Sequence, residues 1–239
     1  MKELAVIIPM YNEQLNAERC VRAVCDVLSA SVPGAKLLVV NDGSKDQTAQ
    51  ILEKLSTENL PFIFVSHPTN YGYGAALLTG VKEALKAGFE YGLFMDSDLT
   101  NDPALVPKFA EKLEGNNYDL IKASRFVKGG GMLGVPWRRQ IFSIAGNRVA
   151  SILFNMGLRD CTNGFHAVRL RLIADEVFKE NGFPFLLEEL YILKKKGARA
   201  TEIPYTLTSR TDGEGVSSFA YTPEVIGKYL KYAIKSSMV

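Results

Sequence analysis

Four apolar runs punctuate the first hundred residues, at 4–9, 36–40, 62–66 and 93–95, and each stops abruptly at polar positions. They are short and nearly continuous rather than alternating, the pattern of strands buried on both faces of a parallel sheet. The stretches between them have helical spacing. Residues 16–30 carry Val21, Val24 and Leu28 on one face, with Asn16 placed to cap. The segment from Asp46 carries Ile51, Leu52 and Leu55, and residues 73–87 end at Gly88. Strand and helix therefore alternate through four strands, which predicts an α/β fold with a mostly parallel, Rossmann-like sheet covered on both faces. Further on, the pattern predicts a helix over 103–114, a strand over 118–123, a flexible glycine-rich loop at 128–131 and a long helix over 137–156. An irregular stretch at 160–165, a helix over 182–196, a strand over 199–204 and a polar loop at 209–218 follow. Residues 1–218 read as one domain and 219–239 as a C-terminal amphipathic helix, Val225, Ile226, Tyr229, Leu230 and Ala233 opposing Lys228, Lys231 and Lys235.

The chemistry sits where the apolar runs stop. Glu13 follows the first predicted strand, Asp42 the second, and Asp96 and Asp98 the fourth. Carboxyl ends of parallel strands share one edge, so these groups converge on one crevice. If 96–98 is extended, the two aspartates point the same way. Adjacent carboxylates repel one another, and a Mg²⁺ or Mn²⁺ ion chelating an anionic substrate relieves that repulsion. The competing reading is that they only cap the turn before Pro103.

Composition narrows the classes. A formal charge of +2 over 239 residues gives no electrostatic case for nucleic acid. Cys20, Cys25 and Cys161 have neither zinc nor redox spacing and read as buried thiols in a reducing compartment. No apolar run approaches the ~18 residues that span a bilayer. A dinucleotide-binding dehydrogenase fails on position, because the one comparable cluster, Gly72-Tyr73-Gly74, follows the third strand. His67, before Pro68, reads as structural; His166 stays open.

Pro9-Met10-Tyr11-Asn12-Glu13, Asn41-Asp42-Gly43-Ser44 and Asp96-Ser97-Asp98 resemble the signature of family 2 glycosyltransferases with the GT-A fold. Asn70-Tyr71-Gly72, Ser124-Arg125, Arg139 with Ser143, the 160–165 run D-C-T-N-G-F, Glu188, Glu202-Ile203-Pro204 and Arg210 are similar to the polyprenyl-phosphate branch of that family. The resemblance implies that Pro9, Tyr11 and Glu13 cradle a nucleoside, with Asp42 reaching its base or ribose, and Asn70 and Gly72 join the substrate site. It implies that Asp96 and Asp98 hold Mg²⁺ or Mn²⁺ beside a GDP- or UDP-linked sugar. Arg125 and Arg139, with Ser143, would hold the phosphate of a lipid acceptor, and Arg210 the donor phosphates. Arginine suits this by its two-pronged, charge-assisted contact. Three departures from the pattern stand out: Thr100 replaces a common Gln, the loop from Arg210 lacks an expected Lys, and 128–131 is unusually rich in glycine.

The activity implied is a metal-dependent, inverting transfer to a polyprenyl phosphate. An acceptor phosphate is already anionic, so alignment replaces a general base. Transfer to a hydroxyl would need a base, for which Glu188 is the candidate. A non-catalytic nucleotide-sugar binder is the third reading. The expected location is the cytoplasm, with peripheral contact at the membrane through the basic, apolar tail.

Overall fold

A computed structural model describes residues 4–208 and 222–238. Its first half alternates β1 (Leu4–Met10), α1 (Ala17–Ser31), β2 (Lys36–Asn41), α2 (Thr48–Ser56), β3 (Phe62–Ser66), α3 (Tyr73–Lys86) and β4 (Tyr91–Phe94). Then come α4 (Val106–Asn116), β5 (Leu120–Ser124), β6 (Gly131–Met132), α5 (Trp137–Phe154), β7 (His166–Arg169), α6 (Phe185–Lys195), β8 (Ala200–Pro204), β9 (Thr206–Leu207) and α7 (Pro223–Ser237).

Seven strands form the main sheet in the order β3-β2-β1-β4-β7-β5-β8. Neighbours pair in parallel except at β7, which is antiparallel to both β4 and β5. The period of two in β1 shows why the run is apolar throughout. Leu4, Val6, Ile8 and Met10 pack on one side with α1, α2 and α4, while Ala5 and Ile7 pack on the other with α3, α5, α6 and α7.

Three expectations change. Residues 166–169 form a strand, β7, which its polar ends His166 and Arg169 disguise; both side chains are buried against acidic partners, Glu189 and Asp119. The glycine-rich loop is fixed rather than flexible: β6 pairs in parallel with β9, and Gly131 N donates to Tyr205 O. The tail does not present one apolar face. Tyr232 and Ala233 of α7 enter the core beside α6, while Ile226, Leu230 and Ile234 face outward. The three cysteines are buried thiols. Among the described residues no helix is long and apolar enough to cross a membrane.

Candidate active site

The topology decides where the motifs meet. Since β7 opposes both β4 and β5, the other six strands of the main sheet all run one way, and their carboxyl ends share a rim. Along that rim lie the loop 67–72 after β3, Asp42 after β2, Tyr11 and Glu13 after β1, Asp96 and Asp98 after β4, the 160–165 run entering β7, and Arg125 after β5. The order reverses between β1 and β4, the switch point where open α/β sheets form their crevice. Glu13 and Asp98 both act electrostatically on the buried Cys20 thiol, which burial first and these two carboxylates next push up to about 12.

The loops after β1 and β2 are laced together. Asn12 N donates to Ser44 Oγ (3.0 Å), Glu13 N to Thr48 Oγ1 (2.9 Å) and Lys45 N to Asn12 Oδ1 (2.8 Å). Asn12 adopts φ 55°, a left-handed value that Asn tolerates, and Glu13 Oε2 accepts from Asn16 Nδ2 at 2.8 Å. Pairing of β1 with β2 continues through Met10, and Tyr11, the next residue, is exposed.

Asp42 is tied to the loop after β3. Its side chain is buried. Oδ1 takes His67 Nδ1 (2.7 Å) and the amide of Tyr71 (2.9 Å), and Oδ2 the amide of Gly72 (2.8 Å). It shapes the 67–72 loop on the rim. His67 is structural, its other nitrogen meeting Thr79 Oγ1 at 2.9 Å. Asn70 and Tyr71 are consequently exposed on the rim. Gly72 is required here: φ is 97°, and a Cβ would lie 2.8 Å from Asn181 O.

The central aspartates sit in a turn, so the extended-chain argument for their convergence does not hold. Residues 97 and 98 turn and Leu99 adopts φ 59°, its side chain packing on the core. Other side chains fix the geometry. Asp98 Oδ1 accepts both the amide (3.0 Å) and hydroxyl (2.7 Å) of Thr100, which explains a Thr at this position: it aims a carboxylate. Buried Asn101 accepts from Asp96 N at 2.9 Å, and Tyr205 OH donates to Thr100 O at 2.7 Å. Both aspartates are part-exposed. Among the described residues no group of three His, Cys, Asp or Glu forms a metal cage.

On the other side, Arg125 is clamped. Asp160, fully buried, accepts Arg125 Nε on Oδ2 (2.7 Å) and Nη2 on Oδ1 (2.8 Å), and its own amide donates to Glu202 Oε1 (2.8 Å). Nη2 also reaches Thr162 Oγ1 at 3.1 Å. Much of the guanidinium fork is thus spent on the protein. Asn147, buried on α5, was not singled out by sequence and ties this clamp to the helix. It accepts the amides of Cys161 (2.8 Å) and Thr162 (3.2 Å) and donates to Ser143 O (2.9 Å) and Thr162 Oγ1 (3.0 Å). Arg139, Ser143 and Asn147 follow one another at i, i+4 and i+8 and so share a face. Its one sequence signal is a polar residue inside an apolar helix run.

Glu188 lies inside the fold. It is 4% exposed, and Oε2 accepts the amides of Lys179 and Glu180, each at 2.9 Å. It is an internal cap rather than a surface carboxylate. Its neighbour Glu189 faces the sheet, 2.8 Å from His166 Nε2, while His166 Nδ1 meets Gly164 O. Beside this pair Lys122 donates to Asn163 O (2.7 Å), and its ammonium is held below the ordinary lysine range by burial, against the pull of Glu189 and Asp160. Arg210 lies outside the described residues.

A mostly parallel sheet with a paired-aspartate turn at its switch point is the frame of a GT-A glycosyltransferase. The family described as Glycosyl transferase family 2 matches residues 5–177, and the chain belongs to it. It is 30% identical to the polyprenol monophosphomannose synthase of Mycolicibacterium smegmatis over 237 residues, covering 98% of this chain and 88% of that one. It is 29% identical to the undecaprenyl-phosphate mannosyltransferase of Micrococcus luteus, covering 95% and 93%. Among solved structures, glucosyl-3-phosphoglycerate synthase from Mycobacterium tuberculosis, in complex with Mn²⁺, UDP and glucosyl-3-phosphoglycerate, superposes with a TM-score of 0.64. That match covers 97% of this chain and 80% of that one at 18% identity, a likeness of fold.

Proposed function

We propose that the protein transfers a hexose, with inversion, from a GDP- or UDP-linked sugar to a polyprenyl phosphate at a membrane surface. The observation that carries this reading is the order of chemistry along one rim: aromatic and acidic loops first, the paired aspartates at the switch point, then arginines. Relatives named for polyprenol and undecaprenyl-phosphate mannosyl transfer support the acceptor class.

The donor set suits a divalent cation. Asp96 and Asp98 would hold the ion through oxygen ligands, and since among the described residues no third carboxylate completes a cage, substrate diphosphate and water would supply the rest, as suits Mg²⁺ or Mn²⁺. When bound, that ion supplies neutralisation of charge on the leaving diphosphate. The chain's residues do the rest. Tyr11 and the laced loops around Glu13 receive the nucleoside. Arg125, Arg139 and Ser143 align the acceptor phosphate. One of its oxygens forms a bond to the anomeric carbon as the bond from that carbon to the nucleoside diphosphate breaks on the opposite side. No proton changes hands, so none of these residues has to act as a base. The locked Glu188 argues the same way against a hydroxyl acceptor.

The test is a screen of GDP- and UDP-linked hexoses against a short-chain polyprenyl phosphate with Mn²⁺ or Mg²⁺, products identified by mass spectrometry. A glycosyl polyprenyl phosphate is expected. Transfer only to hydroxyl acceptors, or donor binding with no transfer at all, overturns the reading.

A further inference from the structure

We propose that the outer face of α5, with the adjoining stripe of α7, is the surface by which the protein docks on an anionic bilayer; this deepens the lipid-phosphate reading and rests on it. A helix on a globular domain normally turns its apolar side inward. Helix α5 sends Ala150 and Phe154 into the core at its C-terminal end, but it also carries an apolar face outward. Its inner positions include Ser143 and the fully bonded Asn147, whereas Trp137, Ile141, Phe142, Val149 and Ile152 are exposed, Phe142 at 69% and Ile152 at 71%. These side chains extend along nearly the whole helix, ~27 Å for 18 residues. An apolar face of that length is uncommon on a surface that meets only water. Helix α7 packs beside α5 and adds Ile226, Leu230 and Ile234 at four-residue spacing, all facing out.

Charge selects the occupant. Helix α5 has three arginines and no carboxylate, and α7 has three lysines and one glutamate. The chain as a whole is only +2, so the rest of it is net acidic. Lys228 and Lys231 of α7 pair with Glu180, so the positive charge beside the apolar face comes from Arg138 and Arg148 of α5 and Lys235 of α7. Arg138 and Arg148 lie on the exposed side, and the Arg138 guanidinium rests 5.4 Å from the Trp137 ring centroid. Apolar side chains ringed by arginine and tryptophan match the boundary between acyl chains and anionic headgroups. A second copy of the chain would bring like charges together around the same patch, which works against self-association. Arg139 and Ser143 lie on the inner side of the same helix, so docking sets an acceptor phosphate at headgroup level beside the residues that would receive it.

The experiment is vesicle flotation of the full chain and of the double variant Phe142→Glu/Ile152→Glu, with activity measured in parallel on a water-soluble short-chain polyprenyl phosphate. Wild type is expected to float with phosphatidylglycerol-containing vesicles and to bind pure phosphatidylcholine far less. The double variant should lose affinity about 100-fold, as follows from removing two large apolar side chains that would bury in the bilayer and adding repulsion from two carboxylates. It should keep its thermal midpoint and its rate on the soluble acceptor. Flotation of the variant at wild-type affinity overturns the proposal. So does failure of wild type to float while light scattering shows a dimer that the variant dissociates, which gives the face to a second copy. Loss of the catalytic reading has a separate signature, vesicle binding without transfer to any polyprenyl phosphate.

Discussion

Replacing Glu188 by alanine separates a carboxylate that holds the fold from one that performs chemistry. The side chain is nearly fully buried and accepts two backbone amides at 2.9 Å, one of them from the buried Glu180. Hydrogen bonds to a charged group are worth about 1.5–3 kcal/mol each, and a buried amide left without an acceptor costs about 1–3 kcal/mol. The exposed Lys179 amide recovers a partner from water, so the net loss is about 2–4 kcal/mol. For a chain of this size that lowers the melting midpoint by about 5–15 °C. Loosening reaches α7, because Glu180 also holds Tyr232 OH at 3.2 Å and Lys228 Nζ at 3.1 Å. On a polyprenyl phosphate, measured well below the variant's midpoint, kcat should stay within about threefold of wild type, because a general base would be worth about 10²–10⁴. Glu188→Gln keeps a carbonyl acceptor and should restore most of the midpoint. A fall of 100-fold or more in kcat for both variants, with the midpoint of Glu188→Gln intact, as a general base of about 10²–10⁴ would produce, refutes the reasoning.

Other outcomes follow from the same geometry. Asp98→Ala, and wild type in excess EDTA, should lose essentially all transfer while the far-ultraviolet circular dichroism is unchanged; full turnover in either would remove the metal reading. Asn147→Ala should raise the KM for the lipid phosphate about tenfold and leave that for the donor alone, since it detaches α5 from the loop holding Arg125; an equal rise in both would show general loosening. Burial pushes the Cys20 and Cys161 thiols up to about 12, above their value near 9 in the unfolded chain. Their contribution is therefore complete below about pH 9 and is lost as pH rises toward 12, at about 1.4 kcal/mol per pH unit per thiol. Denaturation midpoints that stay flat from pH 9 to 11 would contradict it.

Much of the site was legible because parallel sheets impose position on sequence. An apolar run followed at once by Glu13, Asp42 or Asp96 marks the carboxyl end of a buried strand, and such ends share an edge. What those side chains do there was less legible. Asp42 and Glu188 carry chemistry-bearing carboxylates, yet each is consumed by backbone amides of segments 29 to 30 and 8 to 9 residues away, partners no local pattern announces. Strand β7 escaped because its buried polar residues find Glu189 and Asp119, which lie 23 and 50 residues distant.

The sequence by itself determined the alternation of strands and helices, the acidic strand ends and the family motifs, since periodicity and local turn chemistry are short-range properties of the chain. Tertiary structure alone decided that β7 runs against its neighbours, that Asp160 and Asn147 bind Arg125 and α5 into one clamp, and that α5 carries an apolar face outward. Each of these depends on which polar group finds a partner across the fold, and burial makes an unpartnered group too costly to leave to chance.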